Sequence, residues 1–109
     1  MRFPLILTAA LLATPALAAD ELAALNYSCD DNKVLRAVYV NTATGNSYAI
    51  IQDMGEMIPM RLVTSASGAR YEAISTDYSY QLDSKGMEAT VHATTDGQEQ
   101  VVYANCTAE

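Results

Sequence analysis

From about residue 25 onward, apolar residues recur at every second position in short runs rich in Val, Ile and Tyr, and Gly, Asn, Asp and Ser break the runs about every ten residues. A period of two sends alternate side chains to opposite faces of an extended chain, so each run reads as a strand with one buried face and each break as a turn. Strands are expected at residues 25–29, 34–41, 47–52, 57–63, 70–75, 78–82, 89–95 and 100–106. They are joined by Asp30-Asp31-Asn32, Thr44-Gly45-Asn46, Asp53-Met54-Gly55, a 65–68 loop, Thr76-Asp77, an 84–86 turn and Asp96-Gly97. Asp96-Gly97 is the strongest of these signals, because both residue types accept the positive φ of a type I′ hairpin turn. Pro59 has no N–H to give to a ladder, which predicts an edge position or a bulge. Residues 20–24 fit either a frayed arm or a short helical turn.

The first eighteen residues follow another pattern. Met1-Arg2 is a positive start, residues 3–13 are almost wholly apolar, and Ala16-Leu17-Ala18 has the small-x-small form of a cleavage site. This reads as a secretory signal at residues 1–18, leaving one domain at residues 19–109. The apolar run is too short to span a bilayer, and no later run of about twenty apolar residues follows. Cys29, the first cysteine, lies well past the cleavage site, so neither a membrane anchor nor a lipid anchor is expected. The expected product is exported, soluble and periplasmic.

Export changes the meaning of Cys29 and Cys106. They are the only cysteines, and an even count in an oxidising compartment implies one disulfide. Short consecutive strands whose first and last members are tied together point to an all-β fold: a single small eight-stranded antiparallel β-barrel closed by Cys29–Cys106. Phe3 is the only Phe and there is no Trp, so the aromatic volume of the domain comes from 7 Tyr residues, each with a hydroxyl that needs a partner. Met54, Met57, Met60 and Met87 are expected to fill gaps in a narrow interior without a large ligand cavity.

The chain carries 6 basic and 13 acidic residues, net −7, and loss of Arg2 with the signal makes the domain more negative still. Such a charge repels nucleic-acid phosphates and anionic lipid and favours a cationic partner, while also serving plain solubility. Enzymatic chemistry is thin. His92 is the only histidine and has no Cys or Asp at catalytic spacing, Ser65 and Ser67 lack a base, and no phosphate loop or metal-ligand cluster exists. The acids at Asp30-Asp31 and at Asp53 and Glu56 fall in turns, where solubility and Asx hydrogen bonds explain them. No enzyme activity, cofactor or metal is expected.

Two features stand apart: the hydroxyl-rich loop Ser65-Ala66-Ser67-Gly68-Ala69-Arg70-Tyr71, and Lys85-Gly86. A flexible alcohol loop paired with one lysine on an acidic protein suits entry into the carboxylate-lined cleft of another protein. Together with Tyr27-Ser28-Cys29, Val38-Tyr39-Val40-Asn41, Lys85-Gly86-x-x-Ala89 and the closing Cys106, these residues resemble the C-type lysozyme inhibitor family of Gram-negative bacteria, MliC/PliC, across almost the whole mature chain. The resemblance implies an eight-stranded barrel that plugs the cleft of C-type lysozyme. It assigns contacts with the two catalytic carboxyl groups to Ser67 and Lys85, with Tyr71 bracing the loop, Gly68 and Gly86 allowing tight turns, and Ser65 and Arg70 as further binding residues. It also places a chain without a lipid cysteine among the soluble periplasmic members. One departure is visible: where members carry Trp shortly before Lys-Gly, this chain has Tyr80-Gln81-Leu82-Asp83. Two other classes remain open, a small-ligand carrier, which needs a deep apolar cavity, and a structural envelope domain, indifferent to Ser67 and Lys85. Whether the barrel forms a homodimer is also left open.

Overall fold

The computed structural model describes residues 19–109, so the expected signal at residues 1–18 lies outside the described residues. Eight strands follow one another around a closed antiparallel barrel. They are β1 Glu21–Ser28, β2 Val34–Asn41, β3 Ser47–Asp53, β4 Glu56–Val63, β5 Ala69–Ala73, β6 Tyr80–Lys85, β7 Glu88–Thr95 and β8 Gln98–Ala108. Cys29 and Cys106 are joined as expected, across 77 positions.

Alternation builds the core. Leu35, Ile51, Ile58, Met60, Leu82 and Val91 point inward and are fully buried, with Tyr27 beside them. These side chains project into the interior, as in other barrels of eight strands. Of the four methionines expected inside, only Met60 is; Met54, Met57 and Met87 are 91%, 61% and 58% exposed. Met54 and Met87 sit in two-residue turns, and Met57 falls on the outward phase of β4.

The Asp96-Gly97 turn forms as predicted, with φ of 52° and 78° between the paired Thr95 and Gln98. Elsewhere the structure corrects the sequence reading. Residues 20–24 are neither arm nor helix, since β1 begins at Glu21 and pairs with β2 from Glu21↔Asn41 onward. Pro59 is on no edge and in no bulge, because it stands in regular register with Ile50. In an antiparallel strand the N–H and C=O of a residue face the same neighbour. The Pro59 carbonyl accepts from Ile74 N at 3.0 Å, just past the end of β5, so its missing N–H faces a place where the ladder has already stopped. Strand ends also move: β6 runs to Lys85 and β8 to Ala108.

The seam between β1 and β8 is short, with only Tyr27↔Ala108 and Ser28↔Thr107 paired. The neighbouring β7–β8 ladder slips twice, passing from Ala89↔Cys106 to Val91↔Tyr103 to His92↔Val101. Each slip inserts one residue into β8 and reverses its alternation. Tyr103 and Cys106, three positions apart, are therefore both buried, and Cys106 is turned toward Cys29. Lys33 reinforces the seam by donating to the Val102 carbonyl at 2.9 Å, and Asn105 donates to Asp30 at 2.6 Å.

Candidate functional site

In an up-and-down barrel the β2–β3, β4–β5 and β6–β7 connections share one rim, and two of them carry the sequence-predicted residues. The β5–β6 register, Ala69↔Ser84 and Arg70↔Asp83, brings the Ser65–Gly68 loop beside Lys85 at the end of β6. Gly68, with φ +66°, is where the two segments touch. A Cβ there would lie 2.6 Å from the Ser84 carbonyl oxygen and 3.2 Å from Lys85 Cβ. Only glycine permits that approach.

The loop is ordered from within. Ser65 Oγ donates to the Ser67 carbonyl at 2.9 Å and accepts from the Ser67 N–H at 3.4 Å. Ser67 and Lys85 are both exposed and line one open depression together with Arg70, Asp83 and Thr90. Both ion pairs found among the described residues belong to Asp83; no carboxylate lies within 4.0 Å of the Lys85 ammonium, although Glu88 is its cross-strand neighbour and lines the same depression. Gly86, with φ 60°, turns the chain directly after it.

Arg70 and Tyr71 stand differently. Arg70 Nε donates to Asp83 Oδ1 at 2.8 Å, while Gln81 donates to the other Asp83 oxygen at 2.9 Å and His92 Nε2 lies 3.6 Å from it. Burial pushes the Asp83 carboxyl up, but the hydrogen bonds from Arg70 and Gln81 outweigh it and hold the group below its usual range. The Asp83 hydrogen bond in turn raises Arg70 further. Tyr71 points inward, with its ring 5.6 Å from that of Tyr39, whose hydroxyl meets the Tyr27 hydroxyl at 2.8 Å. Burial, followed by that hydrogen bond, pushes the Tyr39 hydroxyl well up. The rim thus rests on a packed tyrosine cluster.

Two acids carry more than the sequence suggested. Asp83 fixes Arg70, a pairing visible only once the β5–β6 register is known. Asp53 is buried, although a turn residue was expected to be solvated. Its carboxylate accepts hydrogen bonds from Tyr80 and, at 2.8 Å, from Tyr103. Glu56 likewise accepts from Tyr78. These acceptors answer the hydroxyl demand that an interior built on tyrosine creates.

The sequence profile of a family described as membrane-bound lysozyme-inhibitor of c-type lysozyme matches residues 27–100, a span holding both the Ser67 loop and Lys85. The chain belongs to this family. It is a family of inhibitors and not of enzymes, which is where the chemistry of the chain had pointed. The crystal structure of PliC-St, periplasmic lysozyme inhibitor of C-type lysozyme from Salmonella typhimurium, is 46% identical to the chain, with a TM-score of 0.74 over 82% of this chain and 99% of that one. No curated protein sequence matches.

Proposed function

We propose that this protein is an exported, soluble inhibitor of C-type lysozyme that places Ser67 and Lys85 in the enzyme's catalytic cleft. The observation that carries the reading is the unpaired Lys85 ammonium held beside an exposed Ser67 by the Gly68 contact. Membership of an inhibitor family supports it. Ser65, Gly68, Arg70, Tyr71 and Gly86 then hold the two contact groups in place, Arg70 through Asp83 and Tyr71 from inside the barrel.

The physics is specific. A retaining glycosidase needs one protonated and one ionised carboxyl about 5 Å apart. An ammonium group set between them favours ionisation of both, so the general acid loses its proton while substrate loses access. At an effective dielectric near 20 that contact is worth roughly 4 kcal/mol at 4 Å, less the cost of desolvating the lysine. The Ser67 hydroxyl adds a directed hydrogen bond of about 1 kcal/mol net. Opposite net charges should speed association with a cationic enzyme, and salt should slow it.

The test is cell-wall lysis by C-type lysozyme with increasing inhibitor. Lys85→Ala is expected to weaken inhibition by about 3 kcal/mol, or ~150-fold, as truncation of one partner of a buried charge pair does. Inhibition that survives both Lys85→Ala and Ser67→Ala unchanged would remove the proposal and leave a structural envelope role.

A further inference from the structure

Four charged side chains line the depression that holds Ser67: Arg70, Asp83, Lys85 and Glu88. Two of them are spent on each other, since Arg70 and Asp83 form an ion pair at 2.8 Å. That leaves Lys85 and Glu88. They stand directly opposite each other across the Gly86-Met87 turn, both exposed, yet no ion pair joins them. The backbone at Glu88 is held from both sides, by Lys85 on β6 and Thr107 on β8, and the neighbouring Met87 carbonyl accepts from Ala108 N at 2.8 Å. Its carboxylate therefore extends from a fixed point at the lip of the depression.

Given the inhibitory reading above, on which this rests, we propose that Glu88 is a specificity-determining contact: it takes a basic side chain beside the enzyme's cleft while Lys85 takes the catalytic carboxyls. An enzyme that covers Lys85 must also cover Glu88, because cross-strand neighbours lie only about 5 Å apart at their Cα atoms. A carboxylate closed off from water without a cation is strongly destabilised. Lys85, drawn to the enzyme's carboxyls, is no longer free to be that cation. The partner has to bring one, and a cationic enzyme has arginines and lysines to bring. Discrimination follows from the same physics. A lysozyme with an acidic or apolar group at this point meets a repelled or unpaired carboxylate and is inhibited less.

Binding of C-type lysozyme measured by surface plasmon resonance, with lysis inhibition in parallel, tests this. Glu88→Gln keeps the shape and removes the charge, and it should weaken affinity about tenfold, chiefly through faster dissociation. Glu88→Lys should weaken it about a hundredfold, through slower association as well. A loss of about the same size should persist when Glu88→Gln is added to Lys85→Ala, since a residue that touches the enzyme directly acts without the lysine. Near-ultraviolet circular dichroism of the tyrosines would show that each variant is folded. Undiminished affinity in the folded Glu88→Gln protein overturns the proposal and leaves the inhibitory reading intact. So does a Glu88→Gln effect that vanishes in the Lys85→Ala background, which would make Glu88 only the counter-ion that positions Lys85. Failure of the unsubstituted protein to bind lysozyme is a separate result, which removes the inhibitory reading and this contact with it.

Discussion

The outward faces of β1–β4 and β5–β8 are built by the same two-residue alternation on one continuous sheet, yet they differ in what they present. The first carries apolar side chains and two arginines. The second carries Glu72, Asp83, Glu88 and Glu99, with Arg70 tied to Asp83 and Lys85 left unpaired at the rim. Inside, the halves are alike, each contributing Leu, Ile or Val to one shared core. The comparison shows that burial constrains only the inward phase of a strand. The outward phase is free to be divided, so a single net charge describes neither face. Under the proposed function, a cationic enzyme would be drawn toward the acidic half, where the Ser67 and Lys85 rim stands.

The sharpest way to break this arrangement is to open the seam between the halves. Only two residue pairs join β1 to β8, so the disulfide carries much of the closure. Cys29→Ala with Cys106→Ala should cost about 4 kcal/mol in the chain-entropy account of so long a loop. Thermal melts of oxidised and variant protein would show it, and equal melting temperatures would mean that the halves hold together by packing alone. Next comes the polar link through the interior. Asp53 belongs to β3, whereas its partners Tyr80 and Tyr103 belong to β6 and β8. Asp53→Ala leaves the buried Tyr103 hydroxyl and the part-buried Tyr80 hydroxyl without an acceptor and should cost about 2 kcal/mol in urea unfolding; a change below experimental error would show that water replaces the carboxylate.

A smaller effect on stability, confined to the second half, is expected at Gly68. Gly68→Ala forces a left-handed backbone on alanine, at a cost of about 1–2 kcal/mol, and drives its Cβ into the Ser84 carbonyl, which must shift. Its larger consequence is local. Displacing Ser67 from Lys85 should weaken lysozyme inhibition about tenfold, since misplacement of contact groups forfeits preorganisation. Full inhibition by a folded Gly68→Ala protein would mean that the two groups act separately.

The smallest effect is a slope in pH. Burial, then hydrogen bonding to Asp53, pushes the Tyr80 and Tyr103 hydroxyls up to about 12. Unfolded tyrosine titrates near 10. The folded state therefore keeps these protons more tightly, and the stability this confers is complete below pH ~10 and lost as pH rises through ~12. Tyrosinate absorbance should show a late-titrating class in the folded protein that moves toward 10 in Asp53→Ala.

Much of this molecule was legible in the order of its residues. Alternation marked the strands, Asp96-Gly97 marked its turn, and an even pair of cysteines in a chain expected to be exported marked the closing bond, because each of these signals depends on near neighbours or on residue identity alone. The Ser-Gly loop and the Lys-Gly pair were likewise visible, as a pattern of residue types. What stayed hidden depends on register. Asp53 and Glu56 look the same in sequence, and only barrel closure buries the first against Tyr80 and Tyr103. Arg70 and Asp83 meet because two strands pair at one alignment among several. The two insertions in β8 flank Tyr103 and turn its ring to the inner face that Cys106 also takes. Residue types and local periods thus set the elements and the chemistry available. The division of charge into two faces, and the meeting of a loop with a lysine, came from tertiary pairing, since side chains distant along the chain become neighbours only when strands align.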